Sequence, residues 1–135
     1  MQTAEIIYSG ELRTTATHLQ SGSVIETDAP VDNNGKGERF SPTDLVATAL
    51  GSCMLTIMGI KARDNNWNIE GTKVSIKKIM GTDPRRITGI NVVFDFPAGH
   101  NLGDKERTIL ERAAHTCPVA YSVHPDIKQD ITFNW

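Results

Sequence analysis

Four residues, Ser41-Pro42-Thr43-Asp44, constrain this chain more than any others. They join a serine able to cap a helix, a proline suited to the first helical position, and a carboxylate three residues after the cap, at the positive end of the helix dipole. Apolar residues then recur at Leu45, Val46, Ala49, Leu50, Cys53, Met54, Ile57 and Met58. That is helical spacing on a wide face, so the pattern predicts a long, largely buried helix ending near Asp64-Asn65-Asn66. So wide a stripe is more than one small sheet can easily cover in a chain of this length, which predicts a homodimer.

The flanking segments read mostly as strands. Ile6-Ile7-Tyr8, the threonine-rich run from Leu12 to His18, and Val24 to Thr27 are separated by turn signals at Ser9-Gly10 and Ser21-Gly22-Ser23, which predicts a three-stranded meander. Asp28 to Glu38 is dense in Pro, Asn, Gly and Asp and reads as a loop. After the helix, Ile69 to Met80 reads as a strand, Gly81-Thr82-Asp83-Pro84 as a turn, and the alternation Ile90, Val92, Phe94, Phe96 as a half-buried strand. Asp104 is placed to cap a second helix with apolar positions Ile109, Leu110, Ala113 and Ala114. Pro118 disfavours helix at Cys117 and suits the first position of a new one, so Cys117 should be its N-cap. Ile127, Ile131, Phe133 and Trp135 make a last strand. The order predicts an α+β class and one domain over residues 1–135.

The net charge of −2 over 135 residues leaves no basic footprint for nucleic acid, and a Gly-x-x-Gly clamp for single-stranded RNA is absent. No apolar run is expected to approach the length of a membrane span, and the N-terminus lacks a secretory pattern. A cytoplasmic location follows as the default, where a disulfide is more often transient and catalytic than structural. His18, His100, His115 and His124 offer no common zinc spacing to the cysteines, so neither a metal nor another cofactor is expected.

The two cysteines, Cys53 and Cys117, are therefore the chemical centre of interest. A mid-helix cysteine is usually just a small buried hydrophobe. Gly51 and Ser52, however, put two small residues beside the Cys53 sulfur, leaving room for another chain segment or a small ligand. At a helix start, Cys117 should have its thiolate stabilised by free amides and the dipole. On these grounds either thiol could be the attacking one, and a redox pair is the preferred reading. A Cys–His hydrolase is an alternative that carries no family signature here.

Ser41-Pro42-Thr43-Asp44-Leu45, Ala49-Leu50-Gly51-Ser52-Cys53 and Cys117-Pro118-Val119 resemble the OsmC family of osmotically inducible and organic hydroperoxide resistance proteins. Thr27-Asp28-Ala29-Pro30, Gly35-Lys36-Gly37 and Asp83-Pro84-Arg85-Arg86-Ile87 resemble a branch of small OsmC-like proteins of unassigned role. The resemblance implies sheets wrapped around two central helices in an intertwined homodimer, with active sites at the subunit interface. It implies reduction of an organic hydroperoxide by Cys53, resolution by Cys117, and regeneration by a dithiol reductant. It further implies an active-site arginine, for which Arg13 and Arg39 are the candidates, to lower the Cys53 pKa and orient the peroxide. Leu50, Met54 and Thr43 are expected at the substrate, where apolar surroundings suit an organic peroxide. The family's glutamate in the first helix is replaced by Thr43, with Asp44 one residue later and rotated by roughly 100°. That departure keeps a second reading open: a small-molecule or thiol-metabolite binding dimer with weak or no peroxidase activity.

Overall fold

The computed structural model describes residues 1–135 and is α+β. Strands β1 (Ala4–Gly10), β2 (Arg13–His18) and β3 (Val24–Asp28) form an antiparallel meander in the order β1-β2-β3. Helix α1 (Pro42–Asp64) follows. Next come β4 (Lys73–Gly81), β5 (Arg86–Asp95), α2 (Asp104–Ala114), α3 (Pro118–Ser122) and β6 (Lys128–Asn134). The second sheet has the order β4-β5-β6, antiparallel between β4 and β5 and parallel between β5 and β6. The chain divides into two compact units, residues 1–46 and 47–135.

In the first unit, β1 and β2 are joined by Glu11-Leu12, both left-handed (φ 54° and 62°) between the paired residues Gly10 and Arg13. This two-residue turn matches the twist of paired strands, and it lies two residues beyond the expected Ser9-Gly10. Threonines 14 and 27 face each other across β2 and β3 with oxygens 2.6 Å apart. The buried residues of this unit are Thr27, Asp28 and Ser41, all polar, and none of its apolar side chains is buried. Ile6, Ile7, Tyr8, Val24 and Ile25 are all exposed.

Helix α1 opens as its sequence demands. Ser41 Oγ accepts from Asp44 N–H at 3.0 Å, while Asp44 Oδ2 accepts from Ser41 N–H at 2.9 Å, a reciprocal capping box. By length and composition alone α1 could cross a membrane, contrary to the expectation from sequence. Its buried face nevertheless packs as a core helix does, contributing Ala47, Leu50, Met54, Met58 and Ala62 to the core of the second unit. The sheet side of that core is Ile90, Val92 and Phe94, fully buried, with Phe133 stacked on Phe94 at 5.0 Å.

Two boundaries differ from expectation. Strand β4 begins at Lys73 rather than Ile69, because Thr72 turns back to donate from both its N–H and its hydroxyl to Ile69 O, with Gly71 at φ 88°. Asp104 is the first residue of α2, and Gly103 occupies the cap position.

Candidate functional site

The fold builds two clusters from the residues singled out in sequence, one in each unit. The first is a pair of free thiols in the second unit. Cys53 projects from α1, partly exposed. Cys117 is the N-cap of α3, as Pro118 requires, and is wholly buried. Its Sγ accepts from Ala120 N–H at 3.2 Å. The two side chains are close enough for Cys53 to perturb the Cys117 thiol. Although they lie far apart in the chain, α1 and the α2–α3 junction bring them together.

The electrostatics of Cys117 reverse the expectation. Burial pushes its thiol up, overriding the N–H of Ala120, which favours the thiolate, and the neighbouring Cys53 raises it further. A five-residue helix supplies too little to offset desolvation. Cys117 is thus held as a neutral thiol.

Gly51 also serves a different purpose from the one its size suggests. A Cβ there would stand 2.5 Å from Ile76 Cδ1 and 3.1 Å from Val74 Cγ1. The glycine lets α1 press onto β4; it does not open space for a ligand. Leu50 and Met54, expected at the substrate, lie entirely inside the core with no accessible surface. An open groove of about 410 Å³ runs instead between α1 and α2, lined by Ile57, Ile60, Lys61, Ile109, Arg112 and Thr116 among others. It starts one helical turn after Cys53 and one residue before Cys117.

The second cluster centres on Arg13 in the first unit. Its Nε donates to Asp28 Oδ1 at 2.7 Å, and its Nη2 donates to Asp28 Oδ2 at 2.8 Å and to Glu38 Oε1 at 3.1 Å. The Asp28 side chain is wholly inaccessible and also accepts from Glu38 N–H at 3.1 Å. Hydrogen bonding to Arg13 holds the Asp28 carboxyl down to about 2 against the cost of burial, and the same pairing raises Arg13. Arg39 is an exposed residue whose Nε donates to Glu26 Oε1 at 3.2 Å. Thr43 shares a 3.2 Å hydroxyl contact with Ser41, and Asp44 caps the helix. Sequence reasoning missed Asp28, although the run Thr27-Asp28-Ala29-Pro30 stood out as a motif. No three His, Cys, Asp or Glu side chains converge as metal ligands.

Comparison with known proteins gives a consistent answer. The profile of the OsmC-like protein family matches residues 35–132. A solved structure from Psychrobacter arcticus 273-4, named for an osmotic stress induced and detoxification response, is 53% identical with a TM-score of 0.95, over 99% of this chain and 96% of its own. The organic hydroperoxide resistance protein OsmC of Legionella pneumophila shares the fold at 14% identity and a TM-score of 0.76, over 100% and 98% of the two chains. An OsmC-like protein of Mycoplasma pneumoniae does so at 15% and 0.76, over 98% and 96%. No curated protein matches the sequence.

Proposed function

The chain belongs to the OsmC-like protein family, and from that premise we propose that it is a thiol-dependent peroxidase that reduces organic hydroperoxides. The observation that carries this reading is the asymmetry of the thiol pair. One sulfur is partly exposed on a long helix; the other is buried beside it and held neutral. Cys53 is the nucleophile, acting as the thiolate. Its sulfur attacks the distal oxygen of the hydroperoxide, the O–O bond breaks, and the alkoxide leaves and takes up a proton as the alcohol. Cys53 becomes a sulfenic acid. The Cys117 thiol then displaces hydroxide from that sulfur, its own proton completing a water molecule, and a disulfide forms. A dithiol reductant returns both residues to thiols and is itself oxidised to a disulfide.

The apolar groove between α1 and α2 supports an alkyl or aryl hydroperoxide over hydrogen peroxide. The family resemblance leaves Arg13 and Arg39 as the candidates for the arginine that orients the peroxide. The absence of any buried apolar side chain in residues 1–46, beside five exposed apolar residues on β1 and β3, supports a homodimer in which a second copy covers that sheet. A reducing, cytoplasmic setting suits a reversible pair.

The test is consumption of cumene hydroperoxide with dithiothreitol. Wild type should turn over and Cys53→Ser should be inactive. Cys117→Ser should consume about one equivalent and stall, because attack needs one thiolate and resolution needs a second thiol. Cycling by Cys117→Ser at the wild-type rate would refute the assigned roles. The replacement of the family glutamate by Thr43 favours the second reading, a binding dimer, and reactive thiols without turnover would establish it. A monomer by light scattering at micromolar concentration would rule out the dimer.

A further inference from the structure

We propose that the cavity at the C-terminal end of α1 binds a free apolar α-amino acid in its zwitterionic form. The cavity has a volume of about 620 Å³ and belongs wholly to the second unit, with Leu55, Gly59, Arg63, Trp67, Ile69 and Glu70 among its walls. It shares no lining residue with the groove between α1 and α2. Leu55 stands roughly 200° around the helix from Cys53, so the cavity lies on the side of α1 turned away from that thiol.

The walls are built by local sequence. Asn66, left-handed at φ 58°, ends α1; its N–H donates to Arg63 O at 3.1 Å, and Trp67 N–H donates to Ala62 O at 2.8 Å. These two bonds make a Schellman motif, which seats Trp67 against the last turn of the helix. Glu70 N–H donates to Asn68 Oδ1 at 2.9 Å, and Thr72 closes on Ile69 O through both its N–H and its hydroxyl. The loop is therefore held without the side chains of Arg63 and Glu70. Gly59 forms the floor. A Cβ there would meet nothing within 4 Å, in contrast to Gly51. Glycine inside a helix is unfavourable relative to alanine, and no packing within the chain demands this one. Its bare backbone leaves the space that a ligand fills.

The charges select the ligand. Arg63 and Glu70 are both exposed, and neither side chain has an ion pair or hydrogen bond within the chain. A guanidinium takes a carboxylate through two parallel N–H bonds. Glu70 suits an ammonium, which the negative end of the α1 dipole also favours. A simple anion meets repulsion at Glu70 and a simple cation meets it at Arg63, whereas a zwitterion gains at both. Leu55, Ile69 and the half-buried Trp67 ring offer apolar surface to the ligand's side chain. The volume falls in the ordinary range of small-molecule sites, about 300–1,000 Å³.

The experiment is a titration of the full chain with L-leucine, N-acetyl-leucine and leucinamide, followed by the Trp67 indole N–H signal in NMR spectra and by calorimetry. Leucine should shift the Trp67 signal and saturate. The two blocked compounds, each lacking one charge, should bind about tenfold more weakly. Equal affinity for all three, or no response to millimolar leucine, overturns the proposal. Arg63→Met should weaken leucine by about tenfold without weakening leucinamide, and Glu70→Gln should weaken leucine without weakening N-acetyl-leucine. Gly59→Leu should fill the cavity and abolish binding. Retained binding places the ligand elsewhere and overturns the proposal. A change of oligomeric state in this variant overturns it too, because the cavity is then a contact between copies. Should Gly59→Leu not fold, the two charge variants decide alone, and an unchanged leucine affinity in both refutes the site.

Discussion

Gly51 on α1 meets Ile76 on β4 so closely that a single added carbon would stand 2.5 Å from the isoleucine Cδ1. The contact sets how near the helix carrying Cys53 can lie to its sheet. Gly51→Ala should therefore destabilise the fold through overpacking, by about 1–3 kcal/mol, despite alanine's better helix propensity. Urea unfolding checks this. A stability gain would mean that Ile76 moves aside at no cost.

The thiols should label in a fixed order. Cys117 has no accessible surface and its thiol is pushed up by burial, while Cys53 is partly exposed. A short iodoacetamide pulse at pH 8 should modify Cys53 first, with Cys117 reacting only as the protein opens. Peptide mass spectrometry reads the order directly, and early labelling of Cys117 would contradict it.

Asp28 should impose an acid limit on stability. Its folded carboxyl sits at about 2, below the ordinary 3.8, chiefly because of Arg13. A depressed carboxylate contributes stability that is present above the unfolded value and lost as pH falls through the folded one. Thermal unfolding should thus weaken between about pH 4 and pH 2, and Asp28→Asn should flatten the curve in that window. An equally steep fall in the variant would assign the acid limit to other groups.

The β1–β2 turn can be improved. Glu11 and Leu12 both hold left-handed backbone, which disfavours side chains with a Cβ and suits Asn-Gly. Replacing the pair by Asn-Gly should raise stability by about 1 kcal/mol. The ion pair between Glu11 and Lys36 would be lost, but it is exposed and contributes little. Differential scanning calorimetry measures the outcome.

What was legible in the sequence was local or periodic. The Ser41–Asp44 cap, the alternation from Ile90 to Phe96 and the break at Pro118 each act within a few residues, and the structure has all three. What was not legible depends on register and burial. The pairing of Arg13 with Asp28 exists only once β2 and β3 align. Helical periodicity placed Leu50 and Met54 beside Cys53, yet it cannot distinguish the wall of a pocket from the inside of a core. The state of Cys117 followed the same logic. Its dipole could be read from Pro118, but the desolvation that outweighs it comes from packing.

The polar interior of residues 1–46 has a consequence for the life of the chain. A meander whose buried side chains are two hydroxyls and a carboxylate cannot collapse on its own, because no hydrophobic gain offsets the lost chain entropy. Residues 1–46 are made before residues 47–135 and emerge with no apolar interior of their own. Strand β1, with Ile6, Ile7 and Tyr8 exposed, is the part most in need of protection during synthesis.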